Sequence, residues 1–327
     1  MTKFIWSEKL AKRKSKLLKN AFLIVDSRLT LDANDYWFSD NNYVVDLKKQ
    51  SNNLKTFSEI ITTMFKRKMD KTTTLIAVGG REIHDLAGFI SATYLRGIRW
   101  IYVPTTLTAM VDCCIGGRCG LDEGDKDCAI GSNHPPCSVI LDLSFLKELS
   151  DEEWSSGVCE IIRTAINDQR AFTYLEQTVI DLKSRNEQTV RECVNMVRSI
   201  KKKMLRNHAM KTGRSSLKIG RTIGLALERD DKAKRGRGEY LLLGMLLEMS
   251  VLKEYIDAKY YVRVLSLIDK TELKPLGFSV ESVVNNCFQH TNLGIVTLAV
   301  PSKCGVIEVK KMDEATVLSR LDAYKTE

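Results

Sequence analysis

The sequence lacks any apolar run of the roughly 18 to 20 residues that a membrane-spanning helix needs. Its best candidate, 240–252, is shorter and contains Glu248, so we predict a buried helix there and no membrane span. The N-terminal segment also lacks the apolar stretch and the small-residue cleavage site of a secretory signal. Both absences argue against membrane and secreted proteins as classes.

Paired cysteines and clustered histidines are also missing. The nine cysteines have irregular spacing without a CxxC pair, which predicts reduced thiols in a cytoplasmic protein. The cysteines between 113 and 137, even with His134, match no standard zinc spacing, so we predict no zinc site there. The four histidines lie outside HExxH or GxSxG motifs. They are predicted to be packed or surface residues, with His208 the best placed for proton transfer.

Acidic residues are outnumbered, since 50 Lys and Arg against 41 Asp and Glu give a formal charge of +9. Basic runs occur at 12–16, 201–203 and 232–238. Such a surface can attract nucleic acid or small anions, but no recognisable DNA- or RNA-binding motif accompanies the charge. We therefore predict solvated basic faces and a small anionic ligand, and we do not predict specific nucleic-acid binding.

The first half of the sequence alternates β-branched apolar runs with helical patterns. Alternation of this kind predicts a parallel, Rossmann-like sheet. The predicted strands are 21–26, 43–47, 74–78, 100–103 and 138–143, with helical patterns at 53–69 and 84–96.

From about residue 151 the pattern becomes mostly helical. Ser150, followed by three acidic residues, is typical of a helix start. We predict two domains, an α/β Rossmann-like domain over 1–150 and a mostly α-helical domain over 151–327, with a ligand cleft between them. The further predicted elements are helices in 190–207, 221–228, 240–256 and 314–324 and a short β-hairpin at 295–311.

Several segments, in order and with nearly ungapped spacing, resemble one known family. They include "GGREIHDLAGF" at 79–89, "PTTLTAMVDCCIGGRCGLD" at 104–122, "SSGVCEIIRTAI" at 155–166 and "GRSSLKIGRTIGLALE" at 213–228. These segments are similar to the 3-dehydroquinate synthase family of sugar-phosphate cyclases.

The resemblance implies a dehydroquinate-synthase-like fold and a homodimer. It also implies the conversion of a seven-carbon keto-acid sugar phosphate to 3-dehydroquinate and phosphate, a lyase step of the shikimate pathway. In the family, bound NAD oxidises a hydroxyl, phosphate is eliminated, and a zinc ion polarises the oxidised oxygen. Each of these steps requires particular residues.

The nucleotide positions that the resemblance implies are partly retained. Arg81 and His84 stand where the family has glycine, which we expect to narrow the turn, although Arg81 could reach a pyrophosphate as a cation. NAD binding therefore stays open. The residues that match the family's nucleotide contacts are Asp26, Gly79, Gly80, Asp85, Thr105, Thr106 and Asp112.

The zinc positions that the resemblance implies are mostly replaced. Glu160 matches the family's glutamate ligand, but the two histidine ligands fall at Arg221 and Arg237, and a neighbouring histidine falls at Leu225. A guanidinium stays protonated and cannot bind a metal, and leucine cannot transfer a proton. We therefore predict no zinc, with Glu160 held by bidentate arginine pairing instead.

The other matched site positions are basic and form either an open anion site or a network of ion pairs. Two main hypotheses stay open: an enzyme of altered mechanism, or a non-catalytic paralogue that binds an anionic phosphorylated ligand or a partner subunit. A nucleic-acid-contacting protein is a distant third. The basic positions are Arg118, Lys126, Arg163 and Arg214, with Arg221, Arg237 and Arg96, the last of which the family directs toward a neighbouring subunit.

Overall fold

The computed structural model describes eight segments of the chain. They fall into two compact units, Met1–Leu149 and Ser150–Glu327. The described residues are 2–7, 20–29, 41–48, 52–124, 126–207, 218–231, 235–289 and 294–326.

The first unit is built on a parallel sheet of six strands in the order β1-β8-β5-β4-β2-β3. All five strands predicted in this half are present, so the expected Rossmann-like sheet is confirmed. The strands of the unit are β1 (Lys3–Trp6), β2 (Ala21–Asp26), β3 (Asn42–Val45), β4 (Thr74–Gly79), β5 (Arg99–Pro104), β6 (Arg118–Glu123), β7 (Lys126–Asn133) and β8 (Ser138–Leu141).

The centre of the sheet consists of continuous apolar runs. Every residue of β2 is buried, as are the last five residues of β4, which is the pattern of parallel strands that are covered on both faces. The antiparallel pair β6–β7 and the edge strand β1 were not predicted. One core cluster contains Ala21, Leu23, Val25, Ile76, Val78, Ile101, Val103 and Ile140.

Two helices of this unit begin in different ways. In α1 (Leu54–Lys66), the Asn53 side chain accepts a hydrogen bond from the N–H of Thr56 at 3.1 Å, as an N-cap does. In α2 (Arg81–Thr93), the N-cap is Gly80, and no side chain caps the helix. The first N–H groups of α2 are therefore left to other partners.

The second unit is mostly helical, as predicted. Ser150 caps its first helix through a capping box with Glu153, so the predicted helix start is confirmed. The helices are α3 (Asp151–Ala165), α4 (Gln169–Lys183), α5 (Glu187–Asn207), α6 (Arg221–Asp230), α7 (Arg237–Val251), α8 (Ala258–Asp269), α9 (Val280–Phe288) and α10 (Glu314–Thr326).

The predicted β-hairpin is also present, as β9 (Ile295–Lys303) paired antiparallel with β10 (Val306–Asp313). Helices α6 and α7 cross at glycines. A Cβ on Gly244 would lie 2.3 Å from the backbone N of Gly224 and 2.5 Å from the carbonyl O of Gly220. Close backbone approach therefore explains why glycines recur in this part of the sequence. In the part of the chain that the structure describes, no helix has the length and apolar character to span a bilayer.

Candidate functional site

The carboxyl ends of β2 and β4 form the candidate nucleotide edge of the first unit. After β2 the chain forms β3 on one side of it, and then crosses to form β4 on the other side. In open parallel sheets, such a reversal of strand order leaves a crevice at the carboxyl ends where ligands bind. Asp26 ends β2 and Gly79 ends β4, so the structure brings these two predicted residues to one edge.

Asp26 already has a cationic partner, which sequence reasoning missed. Arg28 donates from Nε to both carboxylate oxygens at 3.1 Å and from Nη2 to Oδ2 at 2.7 Å, and its backbone N–H bonds Oδ1 at 3.0 Å. The Asp26 side chain is 3% exposed, whereas that of Arg28 is 42% exposed. A ligand at this edge therefore meets a guanidinium where the family resemblance implied a carboxylate.

The glycine turn after β4 brings the backbone close to this edge. A Cβ on Gly79 would lie 2.5 Å from Cγ1 of Ile83, so a larger residue would have to displace α2. A Cβ on Gly80 would lie 3.4 Å from the Thr106 methyl group, an ordinary van der Waals contact, so this position is less crowded than Gly79. Because α2 begins here without a side-chain cap, the turn and the first N–H groups of α2 fit the pyrophosphate of a dinucleotide such as NAD.

Tyr102 stabilises the glycine turn through its hydroxyl group. Its buried hydroxyl lies 3.1 Å from the carbonyl O of Gly79 and 3.0 Å from that of Gly80, and it donates to them. The N–H of Thr105 adds a bond to the same Gly79 carbonyl at 3.1 Å. Thr106 packs beside Gly80 through its methyl group and caps the following turn through its hydroxyl. The predicted threonines therefore lie at the turn.

The two residues that replace family glycines take different positions. Arg81 lies at the surface, where its Nε is 3.4 Å from Oδ2 of Asp85. His84 is fully buried, with its ring 4.8 Å from the Tyr102 ring and 5.3 Å from the Trp100 ring, and its Nδ1 is 3.0 Å from Oδ1 of Asp85. The expectation that His84 narrows the turn is therefore wrong, because its ring packs in the core.

The cysteine-rich stretch makes local structural contacts. Cys119 Sγ donates to the carbonyl O of Ser132 at 3.6 Å, and Nε2 of His134 lies 3.0 Å from the carbonyl O of Ile98. Burial raises the pKa of the Cys128 thiol to about 11, so this thiol stays protonated at neutral pH. Across the described segments, no three His, Cys, Asp or Glu side chains come together as a metal site would require.

The other predicted positions of the first unit are exposed. Asp112, in the turn after β5, and Arg118, at the start of β6, both face solvent. Arg96 is exposed with a positive φ of 65°, next to Leu95 at 48°. The side chain of Lys126 lies outside the described part of the structure. In the second half of the sequence, the same holds for Arg214 and for two of the four histidines, His208 and His290.

The second unit contains a buried ionic cluster around Glu160. Arg163 pairs with the carboxylate through two nitrogens, from Nη2 to Oε1 at 2.7 Å and from Nε to Oε2 at 3.1 Å. Lys201 adds a contact from Nζ to Oε1 at 2.5 Å. Glu160 is 1% exposed and Lys201 is 4% exposed, so two cations enclose one carboxylate away from water. We call these three residues the Glu160 cluster.

The Glu160 cluster corrects two predictions. Bidentate arginine pairing is present, but it comes from Arg163, one helical turn further along α3. In the described chain, Arg237 instead pairs with Glu228 at 3.7 Å, and Arg221 is exposed at the start of α6. The prediction of a solvated basic run is wrong for Lys201, which lies on the buried face of α5 with Val190, Val194 and Val197.

A second buried carboxylate, Glu248 on α7, was not assigned a role from the sequence. Its oxygens accept the backbone N–H groups of Gly220 at 2.8 Å, Thr222 at 3.0 Å and Ile223 at 3.1 Å. Glu248 thus caps the start of α6 from a neighbouring helix. Burial raises the pKa of Glu248 to about 8, although these three donors and Arg163 favour the charged form.

Among the described residues of the second unit, the donors at the family's metal positions do not fit a divalent metal. Both oxygens of Glu160 already accept hydrogen bonds from Arg163, and Oε1 also accepts one from Lys201. A dication at this carboxylate would stand in contact with two fixed positive charges at low dielectric. The positions of the two family histidines hold Arg221 and Arg237, which cannot ligate.

Comparisons with known proteins agree with this geometry at the level of the fold. The family model for the 3-dehydroquinate synthase N-terminal region matches residues 42–156, and that for the C-terminal region matches residues 157–291. A 3-dehydroquinate synthase of Acetivibrio thermocellus is 29% identical over 299 residues, 88% of this chain and 83% of that protein. One of Blochmanniella floridana is 32% identical over 278 residues, 80% of this chain and 75% of that protein.

The solved structures with similar folds include two other sugar-phosphate cyclases. A 2-deoxy-scyllo-inosose synthase complexed with carbaglucose-6-phosphate, NAD+ and Co2+ superposes with a TM-score of 0.84 at 17% identity, covering 98% of this chain and 96% of that one. A 2-epi-5-epi-valiolone synthase from Streptomyces hygroscopicus with NAD+ and Zn2+ bound gives 0.84 at 18% identity, covering 100% and 97%. The dehydroquinate-synthase-like fold is therefore confirmed.

Proposed function

Because the chain belongs to the 3-dehydroquinate synthase family, we propose that it binds an anionic phosphorylated ligand without carrying out the family's metal-dependent reaction. One observation carries this proposal: the single retained metal-ligand position, Glu160, is enclosed by Arg163 and Lys201. A carboxylate engaged by two cations does not attract a dication. The chain keeps the family's scaffold and replaces its metal site by an internal ion pair.

The residues at the other family positions support the loss of this chemistry. A bound metal would stabilise the charge that develops on the substrate oxygen, and an imidazole would carry a proton. The metal contributes several kcal/mol of transition-state stabilisation. Acid–base catalysis by the imidazole contributes about 10²–10⁴-fold in rate. Arg221, Arg237 and Leu225 supply neither of them, because guanidinium holds its proton and leucine has none to exchange.

The charge of the second unit supports an anionic ligand. Of the basic family positions that the structure describes in this unit, Arg221 is exposed and Arg237 is partly exposed, whereas Arg163 is buried with Glu160. The whole chain carries +9, and guanidinium groups pair well with phosphate and carboxylate.

A phosphate-release assay tests the loss of turnover. The purified full chain is incubated with the seven-carbon keto-acid sugar phosphate, NAD and zinc or cobalt, with and without a chelator, beside the Blochmanniella floridana relative as the active control. We expect background release from this chain and no stoichiometric zinc by elemental analysis. Phosphate release that a chelator abolishes would overturn the proposal.

A binding measurement tests the retained role. The same sugar phosphate, and inorganic phosphate as a simpler probe, are titrated into the protein by calorimetry at low and high salt. We expect saturable binding that weakens as salt rises, because the contacts are charged. Absence of binding by both probes would contradict an anion-binding role, whatever the turnover assay shows.

A further inference from the structure

The nucleotide edge of the first unit presents a cation instead of a hydrogen-bond acceptor. Both oxygens of Asp26 accept bonds from the Arg28 guanidinium, and Oδ1 also accepts the Arg28 backbone N–H. The carboxylate is almost fully buried, while the guanidinium is partly exposed beside the glycine turn at Gly80. From the position of a Cβ built on Gly80, Nη2 of Arg28 lies 4.0 Å away.

This arrangement changes what a nucleotide ribose would encounter. A ribose diol donates its hydroxyl protons to a carboxylate, and at Asp26 that acceptor is already engaged by Arg28. A guanidinium donates in a planar fork that matches the oxygens of a phosphate group. In dinucleotide-binding folds, an acidic residue holds the unmodified ribose, whereas a nearby arginine accommodates a ribose phosphate.

The neighbouring charged side chains determine how strongly Arg28 would attract a phosphate group. Oε2 of Glu82 lies 4.0 Å from Nη2 of Arg28, and its side chain is 56% exposed. Arg81 pairs with Asp85 on the next turn of α2. A phosphate at Arg28 would displace Glu82, which can turn into solvent, and would share the guanidinium with the buried Asp26, whose negative charge offsets part of the attraction.

We propose that the first unit selects nucleotides whose adenosine ribose carries an additional phosphate, and that Arg28 is the selecting residue. A dinucleotide of the NADP type would bind in preference to NAD, with its pyrophosphate at the turn of Gly80. This selectivity is independent of metal-dependent turnover, so it stands or fails separately from the proposed function.

The minimal probe pair is adenosine 2′,5′-bisphosphate and adenosine 5′-monophosphate, which differ only in the phosphate on the ribose 2′-oxygen. Their dissociation constants are measured by calorimetry on the full chain, and NADP and NAD are then compared in the same way. We expect the bisphosphate to bind about tenfold more tightly or better, because a charge-assisted bidentate contact is gained. Arg28→Ala should remove this preference, and Glu82→Gln should increase it.

Two variants make the result specific. Arg28→Lys keeps a positive charge without the fork, so we expect an intermediate preference. Arg99→Ala removes an exposed arginine at the amino end of β5, the opposite edge of the sheet, and should leave the preference unchanged. Equal affinity for the two probes, a preference that survives Arg28→Ala, or absence of binding by both at millimolar concentration would overturn the proposal.

Discussion

Replacement of Lys201 by methionine tests the Glu160 cluster most directly. Lys201 is 4% exposed and Glu160 is 1% exposed, and their charged atoms are 2.5 Å apart. Removing one partner of a buried ion pair costs about 3–5 kcal/mol, since the other charge stays buried. Arg163 would still pair with Glu160, so we expect the lower end, about 3 kcal/mol. Methionine keeps most of the apolar stem, which separates loss of charge from loss of packing.

The measurement is the free energy of unfolding from urea titration, followed by circular dichroism. Lys203→Met is the matched control, because Lys203 is exposed two residues further along the same helix, and it should change stability by less than about 0.5 kcal/mol. The double variant Glu160→Gln with Lys201→Met should lose less than the sum of its single variants, because each change then removes a charge whose partner in the Glu160–Lys201 pair is already gone, while Arg163 keeps its charge throughout. A loss below about 1 kcal/mol, or strict additivity in the double variant, would refute the electrostatic account of the cluster.

Three further predictions concern other buried groups. Because burial raises the pKa of Glu248 from 4.5 unfolded to about 8 folded, the folded state binds the proton more tightly. Its contribution to stability is therefore lost as pH rises through this window, by up to about 1 kcal/mol per pH unit, and Glu248→Gln should flatten the measured slope. Gly244→Ala places a methyl 2.3 Å from the N of Gly224 and should cost about 2 kcal/mol by urea titration, whereas Gly277→Ala, with open space, should be nearly neutral. Tyr102→Phe removes the hydroxyl that donates to the carbonyl groups of the glycine turn. It should lower the free energy of unfolding, measured by urea titration, by about 1 kcal/mol.

The parallel sheet could be predicted because its strands are buried on both faces. Runs such as 21–25 and 75–78 are continuously apolar, which is typical of strands covered on both faces. The edge strand Lys3–Trp6 was missed because it is short and only half buried. Helices α4, α8 and α9 were also missed, since amphipathic surface helices are less distinct from polar loops in a lysine-rich sequence.

The candidate sites were predicted less completely. The sequence places a retained glutamate at 160 and arginines at former metal positions, but it cannot say which cation the glutamate meets. Arg163 was predicted as a site residue, whereas Lys201 was predicted only as part of a solvated run of three lysines. Lys201 lies four residues after the buried Val197 and therefore on the same face of α5. The helical periodicity of the sequence could have indicated its burial.

The sequence by itself determined the central strands of the parallel sheet, the family, and the loss of the histidines that a metal site needs, because these depend only on residue type and local periodicity. Which charges meet was decided by tertiary structure. Arg28 lies over Asp26 because the turn after β2 folds back onto it, and Lys201 reaches Glu160, 41 positions away, because α5 packs against α3. Ion pairs over a few ångströms depend on such packing, and the residue types alone do not specify it.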